Sequence, residues 1–152
     1  MINSTPTDLE KRVIDACLAG DHPTLSILRH QAKGITVVDR RHTGVGAYID
    51  FAVDDAAPRL DPGSVIIGDI DLEVAGVTDG VATLLYAYDG RLQFLEFATY
   101  DDEWPEDPTL LRIAYFKERS IGPTTFALDP VAERDRVTLE RALTSRNAEP
   151  AK

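Results

Sequence analysis

Between the alternating runs Val81 to Tyr88 and Leu92 to Tyr100 stands the pair Asp89-Gly90, followed by Arg91. A two-residue type I′ connection needs positive φ at both positions, and Asp-Gly tolerates it. The two runs are therefore expected to fold back as a hairpin. The turn sets a register in which Tyr88 faces Arg91, Tyr86 faces Gln93, Leu84 faces Leu95 and Ala82 faces Phe97. On the other face Ala87 meets Leu92, Leu85 meets Phe94 and Thr83 meets Glu96. Both faces are partly apolar, so two layers of cover are expected, the second from the carboxy-terminal region or from a partner.

The same period of two runs through Ile35 to Arg41, Val45 to Val53 and Val65 to Val74, rich in β-branched and aromatic residues. Connections too short for helical crossovers predict antiparallel neighbours and a meander of five strands, with a sixth from Leu110 to Phe116. Ahead of the sheet, Thr5 to Ala19 carries Leu9, Val13, Ile14, Cys17 and Leu18 at helical spacing, with Thr7 and Glu10 as a capping box and Gly20 at its end. A second helix is expected from Pro23 to Ala32, capped by Asp21 and followed by Gly34. After the sheet, Phe126 to Pro130 leads into an amphipathic helix from Val131 to Thr144, with Asp129 as its cap and a frayed tail from Ser145 to Lys152. The fold class is α+β. One domain, 1–152, comprises a helical hairpin (1–34), an antiparallel sheet (35–116) and a carboxy-terminal extension with a helix (117–152).

Length and charge narrow the function classes. At 152 residues a single core needs neither metal nor disulfide, and the one cysteine, Cys17, falls on an apolar helix stripe as a packing thiol. A formal charge of −10 repels phosphate backbones and anionic membranes, which argues against nucleic acid and membrane partners and favours a basic surface or a cationic ligand. No run approaches a membrane span and the amino terminus lacks signal-peptide order, so a cytoplasmic location is expected.

No convergent catalytic set emerges. Thr43-Gly44-Val45-Gly46 lacks the Lys-Ser/Thr of a phosphate loop and opens a strand, so turn geometry explains it. Asp69, Asp71 and Glu73 alternate along one strand at roughly 7 Å intervals and project in parallel, the pattern of a solvated outer face and not of a metal site. His22 and His30 share no ligand spacing. No cofactor is implied. Four residues stand out as candidate binding groups. Glu96 is a carboxylate on an expected apolar face, which calls for a structural ion pair or a functional role. His42 lies beside the first strand turn, and Trp104 with Tyr100 flanks the acidic loop Asp101 to Glu103. Trp104 has the features of an exposed recognition element, or it folds back to close the core.

The order Thr43-Gly44-Val45-Gly46, Gly68-Asp69, Asp89-Gly90, Leu95-Glu96 and Trp104-Pro105 resembles a family of small, uncharacterised bacterial proteins. The likeness covers about residues 35 to 105. It implies an antiparallel α+β domain and no reaction. The expected function is a non-catalytic binding or protein-interaction module, in the manner of an inhibitor or immunity protein, or one that self-associates through its sheet. The alternative is a small-molecule-binding protein or enzyme with a pocket between helix and sheet that uses Glu96 and His42.

Overall fold

The computed structural model describes residues 4–61 and 63–144. The element order is α1 (Asp8–Cys17), α2 (Pro23–Ala32), β1 (Thr36–His42), β2 (Gly46–Ala52), β3 (Val65–Val74), β4 (Val81–Tyr88), β5 (Arg91–Ala98), β6 (Leu110–Ser120), β7 (Phe126–Val131) and α3 (Arg136–Thr144). This is an α+β fold, with seven strands where five or six were expected. The added strand is Phe126–Val131, which pairs with the second half of β6 before α3 begins. The expected tail, Ser145 to Lys152, lies outside the described residues.

All sheet neighbours are antiparallel, but the order β1-β2-β5-β4-β3-β6-β7 is not a plain meander. The chain leaves β2, passes two strand positions and enters β3, and it leaves β5 and passes two more to reach β6. Each jump spans roughly 14 Å. The connections lie at opposite ends of the sheet and each is fastened to a β-turn. In the first, the Leu60 amide donates to Gly90 O (2.9 Å) and the Gly90 amide to Gly63 O (3.1 Å). In the second, the Thr78 amide and hydroxyl donate to the Asp102 carboxylate (2.6 and 2.7 Å). Buried Gln31 on α2 locks the first crossing: its Nε2 donates to Pro58 O and Gly90 O (both 2.8 Å), and its Oε1 accepts from the Leu92 amide (2.9 Å).

The Asp89-Gly90 turn forms with φ of 53° and 77°. Past it the register departs from expectation. Ala87 pairs with Leu92, but Tyr86 pairs with Phe94, Leu85 with Leu95, Leu84 with Glu96 and Thr83 with Phe97. Gln93 is the extra residue of a β-bulge, and its side-chain amide donates to Tyr88 O (2.9 Å). The cause is the apolar pattern of β5. Without the bulge, Leu92 inward would carry Glu96 inward and leave Leu95 and Phe97 outside; with it, Leu92, Leu95 and Phe97 are all buried.

A second bulge, between Ile67 and Ile70, has the same cause in β3. It lets Ile67 and Ile70 both face the core and turns Asp69 inward, so the expected row of three exposed carboxylates does not form. Asp71 and Glu73 stay on the outer face, near Arg112 (3.7 and 3.1 Å). Asp69 instead meets Arg134 in a bidentate pair (Nε–Oδ2 2.9 Å, Nη2–Oδ1 2.7 Å), and Arg134 Nη1 donates to Ala16 O (3.2 Å) and Ala19 O (2.7 Å) at the end of α1. Cys17, fully buried beside this pair, has its thiol pushed up to about 12 by burial.

At the helix ends, neighbouring polar groups compete for the caps. The Thr7/Glu10 capping box forms as expected. His22, not Asp21, caps α2, its Nδ1 accepting from the Thr24 amide (3.1 Å). Asp135, not Asp129, serves α3, its carboxylate accepting from the Thr138 amide (3.0 Å), while Asp129 pairs with Arg119 on the neighbouring strand (2.8 Å). Beyond Tyr115, β6 leaves β3 and follows β7, and α3 lies against the parting strands. There Thr138 Oγ1 accepts from the Glu118 amide (3.0 Å) and Leu139 and Leu143 enter the common core. Among the described residues, no helix is long and apolar enough to cross a membrane.

Arg134→Met should destabilise the protein by about 3–5 kcal/mol, because it strands a buried carboxylate and uncaps α1. Arg134→Met with Asp69→Leu should regain part of that loss, since only the carbonyl caps remain missing. Urea titration of both variants checks this; an Arg134→Met loss below about 1 kcal/mol would show that the pair does not hold the two parts together.

Candidate interaction face

All three helices contribute to one core cluster on one side of the sheet, with Val37, Ile49, Phe51, Ile67, Ile70, Leu72, Leu85, Leu95 and Phe97 facing them. The alternate residues of β2, β5 and β4 point the other way. Tyr48, Phe94, Glu96, Leu84 and Tyr86 stand there, each half-buried by its neighbours and none covered by a helix. The expected second layer of cover is not present among the described residues.

The rings on this face are ordered by the register. Tyr48 meets Phe94 edge to face (5.7 Å between centroids, 66°), and Tyr86 stacks on Phe94 (4.2 Å, 23°). Such arrangements suit the ring quadrupoles and hold apolar surface flat and rigid. Arg41, across from Tyr48 in the β1–β2 pairing, lies over the Tyr48 ring (4.9 Å) and binds Asp50 (3.0 Å). Glu96 sits among these residues, opposite Tyr48 on one strand and Leu84 on the other. Both tyrosine hydroxyls have their pKa pushed up, by burial first and next by the Glu96 charge. No basic side chain among the described residues lies within 4 Å of the Glu96 carboxylate. The structural ion pair that its expected burial called for is not formed.

The other three residues singled out by sequence lie elsewhere. His42 pairs with Ala47 and so faces the helix side, opposite to Glu96, and the two cannot converge on one ligand in a shared pocket. Trp104 also lies on the helix side. It stacks flat on Phe97 (4.9 Å, 10°), is 8% exposed, and its amide donates to Gly44 O (2.9 Å). Its place is in the core, not in an exposed recognition loop. His42 and Trp104 do line one cleft of about 310 Å³, with Ile49 and Phe97 on its floor and Glu106 and Asp107 on its rim. Tyr100 is 61% exposed at the far edge, beside Asp79 and Arg112. Among the described residues, no group of three or more His, Cys, Asp or Glu is placed to hold a metal ion.

Two features of this face were not legible as a set in the sequence. Tyr48 and Tyr86 were not singled out, although both are aromatic residues at outward positions of central strands, which is a legible signal. The Gln93 bulge that brings Glu96 among them leaves no such mark. The short motifs, by contrast, have structural explanations. Gly46 lies where a Cβ would stand 2.0 Å from Phe97 O, Gly68-Asp69 is the β3 bulge, and Val45 O takes the Thr99 amide (2.7 Å). They mark close backbone approaches rather than a reaction.

Trp104→Ala should cost about 3 kcal/mol or more, by loss of buried ring area and the cavity left behind. At this chain length that corresponds to a fall in Tm on the order of 10 °C. A melting curve that does not move would return Trp104 to a recognition role.

Comparison of the chain with protein-family models, with curated proteins and with solved structures gave no match.

Proposed function

We propose that this protein is a non-catalytic interaction module that binds a protein partner through the uncovered face of β2, β5 and β4. The carrying observation is the ordered cluster of Tyr48, Phe94 and Tyr86 on a sheet face with no helix over it among the described residues. An antiparallel sheet exposed on one side ordinarily alternates apolar inside with polar outside, so a run of rings on the outer side departs from what solubility alone favours. Aromatic residues held rigid lose little entropy when a partner covers them, and they dominate binding energy at interfaces. An inhibitor- or immunity-like role is one form such a module takes.

Affinity capture from a lysate of the source cell tests this reading. Wild type and the helix-side variant Lys11→Glu should retain the same partner, while Tyr86→Ser and Phe94→Ser should lose it by at least about tenfold, the effect of removing one hot-spot ring. Equal capture by all four proteins would sink the proposal.

A second reading, small-molecule binding on the helix side, draws support from the cleft in which His42, Trp104 and the Glu106-Asp107 rim meet. Its volume falls at the low end of ligand sites. The chain has one tryptophan, at the cleft itself, so a ligand there should change the intrinsic tryptophan emission in a saturable way. Emission unaltered across a library of small organic cations and carboxylates would remove this reading.

A further inference from the structure

Glu96 stands between Tyr48 and Leu84 on the open face, and its surroundings specify what would satisfy it. The carboxylate lies in register with Tyr48 and Leu84, two residues from Phe94 on its own strand; it faces the Tyr48 hydroxyl, a neutral donor, and after burial its charge is the next cause that raises the pKa of both Tyr48 and Tyr86. Partly desolvated carboxylates are costly without a counter-charge. Beside the rings of the same face the chain supplies such a counter-charge to a neighbouring carboxylate: Arg41 lies over the Tyr48 ring (4.9 Å) and reaches the Asp50 carboxylate (3.0 Å). The Glu96 position repeats this pairing of carboxylate and aromatic ring one strand further into the sheet, with no described cation in reach. A guanidinium fits both elements, since its planar fork can bind a carboxylate while its face stacks on an aromatic ring. An ammonium is a compact point charge and does not present such a face. The net charge of −10 adds a field that draws a basic surface toward the molecule.

We propose that Glu96, framed by Tyr48, Phe94 and Tyr86, is an anchor for an arginine side chain on a basic protein partner. The inference rests on the open face being the interaction surface, and it adds the chemistry of the residue received there. The partner's arginine is held by two interactions at once: a charge-assisted hydrogen bond to Glu96 and contact with the rings beside it.

The probe is N-acetyl-arginine N-methylamide, titrated into the isotope-labelled full chain and followed by amide and aromatic NMR shifts, with the N-acetyl-citrulline counterpart as the uncharged isostere. The arginine compound should shift Tyr48, Tyr86, Phe94 and Glu96 saturably, with a millimolar Kd. The citrulline compound, and the arginine compound on Glu96→Gln, should each bind about tenfold more weakly, the loss of one charge-assisted contact. Glu96→Gln should melt no lower than wild type, so a weakened response is not a folding defect. If both compounds shift the face equally, or Glu96→Gln binds as wild type does, the arginine anchor is wrong while the face remains a binding surface. If neither compound shifts these residues and the ring variants also retain the captured partner, the anchor and the interaction-face reading fall together.

Discussion

One buried ion pair fixes how the parts of this molecule meet. Asp69 comes from a bulge in β3, Arg134 from the turn before α3, and the arginine's remaining donor reaches the last carbonyls of α1. Three segments far apart in sequence are thus held by one guanidinium. Its side chain is 9% exposed and that of Asp69 3%, so each would be strongly disfavoured alone. The energetic cost of desolvating both is offset only in one geometry, which is how such a pair selects an arrangement even where its net contribution to stability is small. The parting of β3 and β6, the seat of α3 and the fully buried Cys17 all lie around it.

With the helices gathered on one side, the two faces of the sheet have different physical tasks. The inner face packs aliphatic side chains against α1, α2 and α3. The outer face presents aromatic rings, one carboxylate at their centre and the Arg41–Asp50 pair at their margin. These two patterns alternate residue by residue along β5, and a single inserted residue, Gln93, decides which set faces which way. The functional reading therefore depends on a backbone detail as much as on side-chain identity.

Much of the local chemistry was legible in the sequence, although neighbouring candidates for a cap, Asp21 beside His22 and Asp129 ahead of Asp135, were not told apart. The Thr7/Glu10 box, the Asp89-Gly90 turn and the Pro23 helix start all formed from neighbouring groups. Register was not legible, because a bulge is chosen by the core that it completes: Leu95 and Phe97 go inward only once α1 and α2 offer a surface to cover. The same competition moved Asp69 from an expected outer row to a buried pair with a residue 65 positions away. Strand order failed for a related reason, since nothing local in 53–64 or 99–109 records that each connection passes over two strands. Of the candidate site, Glu96 was found for a reason that the structure reverses. It was expected on an apolar face with a structural partner, and it stands on the outer face beside the Tyr48 hydroxyl with no described cation within 4 Å.

The strand order has a kinetic meaning. Every pairing in β1–β2, in β3–β4–β5 and in β6–β7 is between consecutive strands, whereas the β2/β5 and β3/β6 pairings close long loops. The sheet is thus three locally closing units welded along two seams, and long-range seams form late and open first. Tyr48 lies on one side of the β2/β5 seam, and Phe94 and Glu96 lie on the other. A partner that touches both sides acts as a splint across that weld, so occupancy of the outer face would slow amide exchange along β2 and β5 more than in the β6–β7 hairpin.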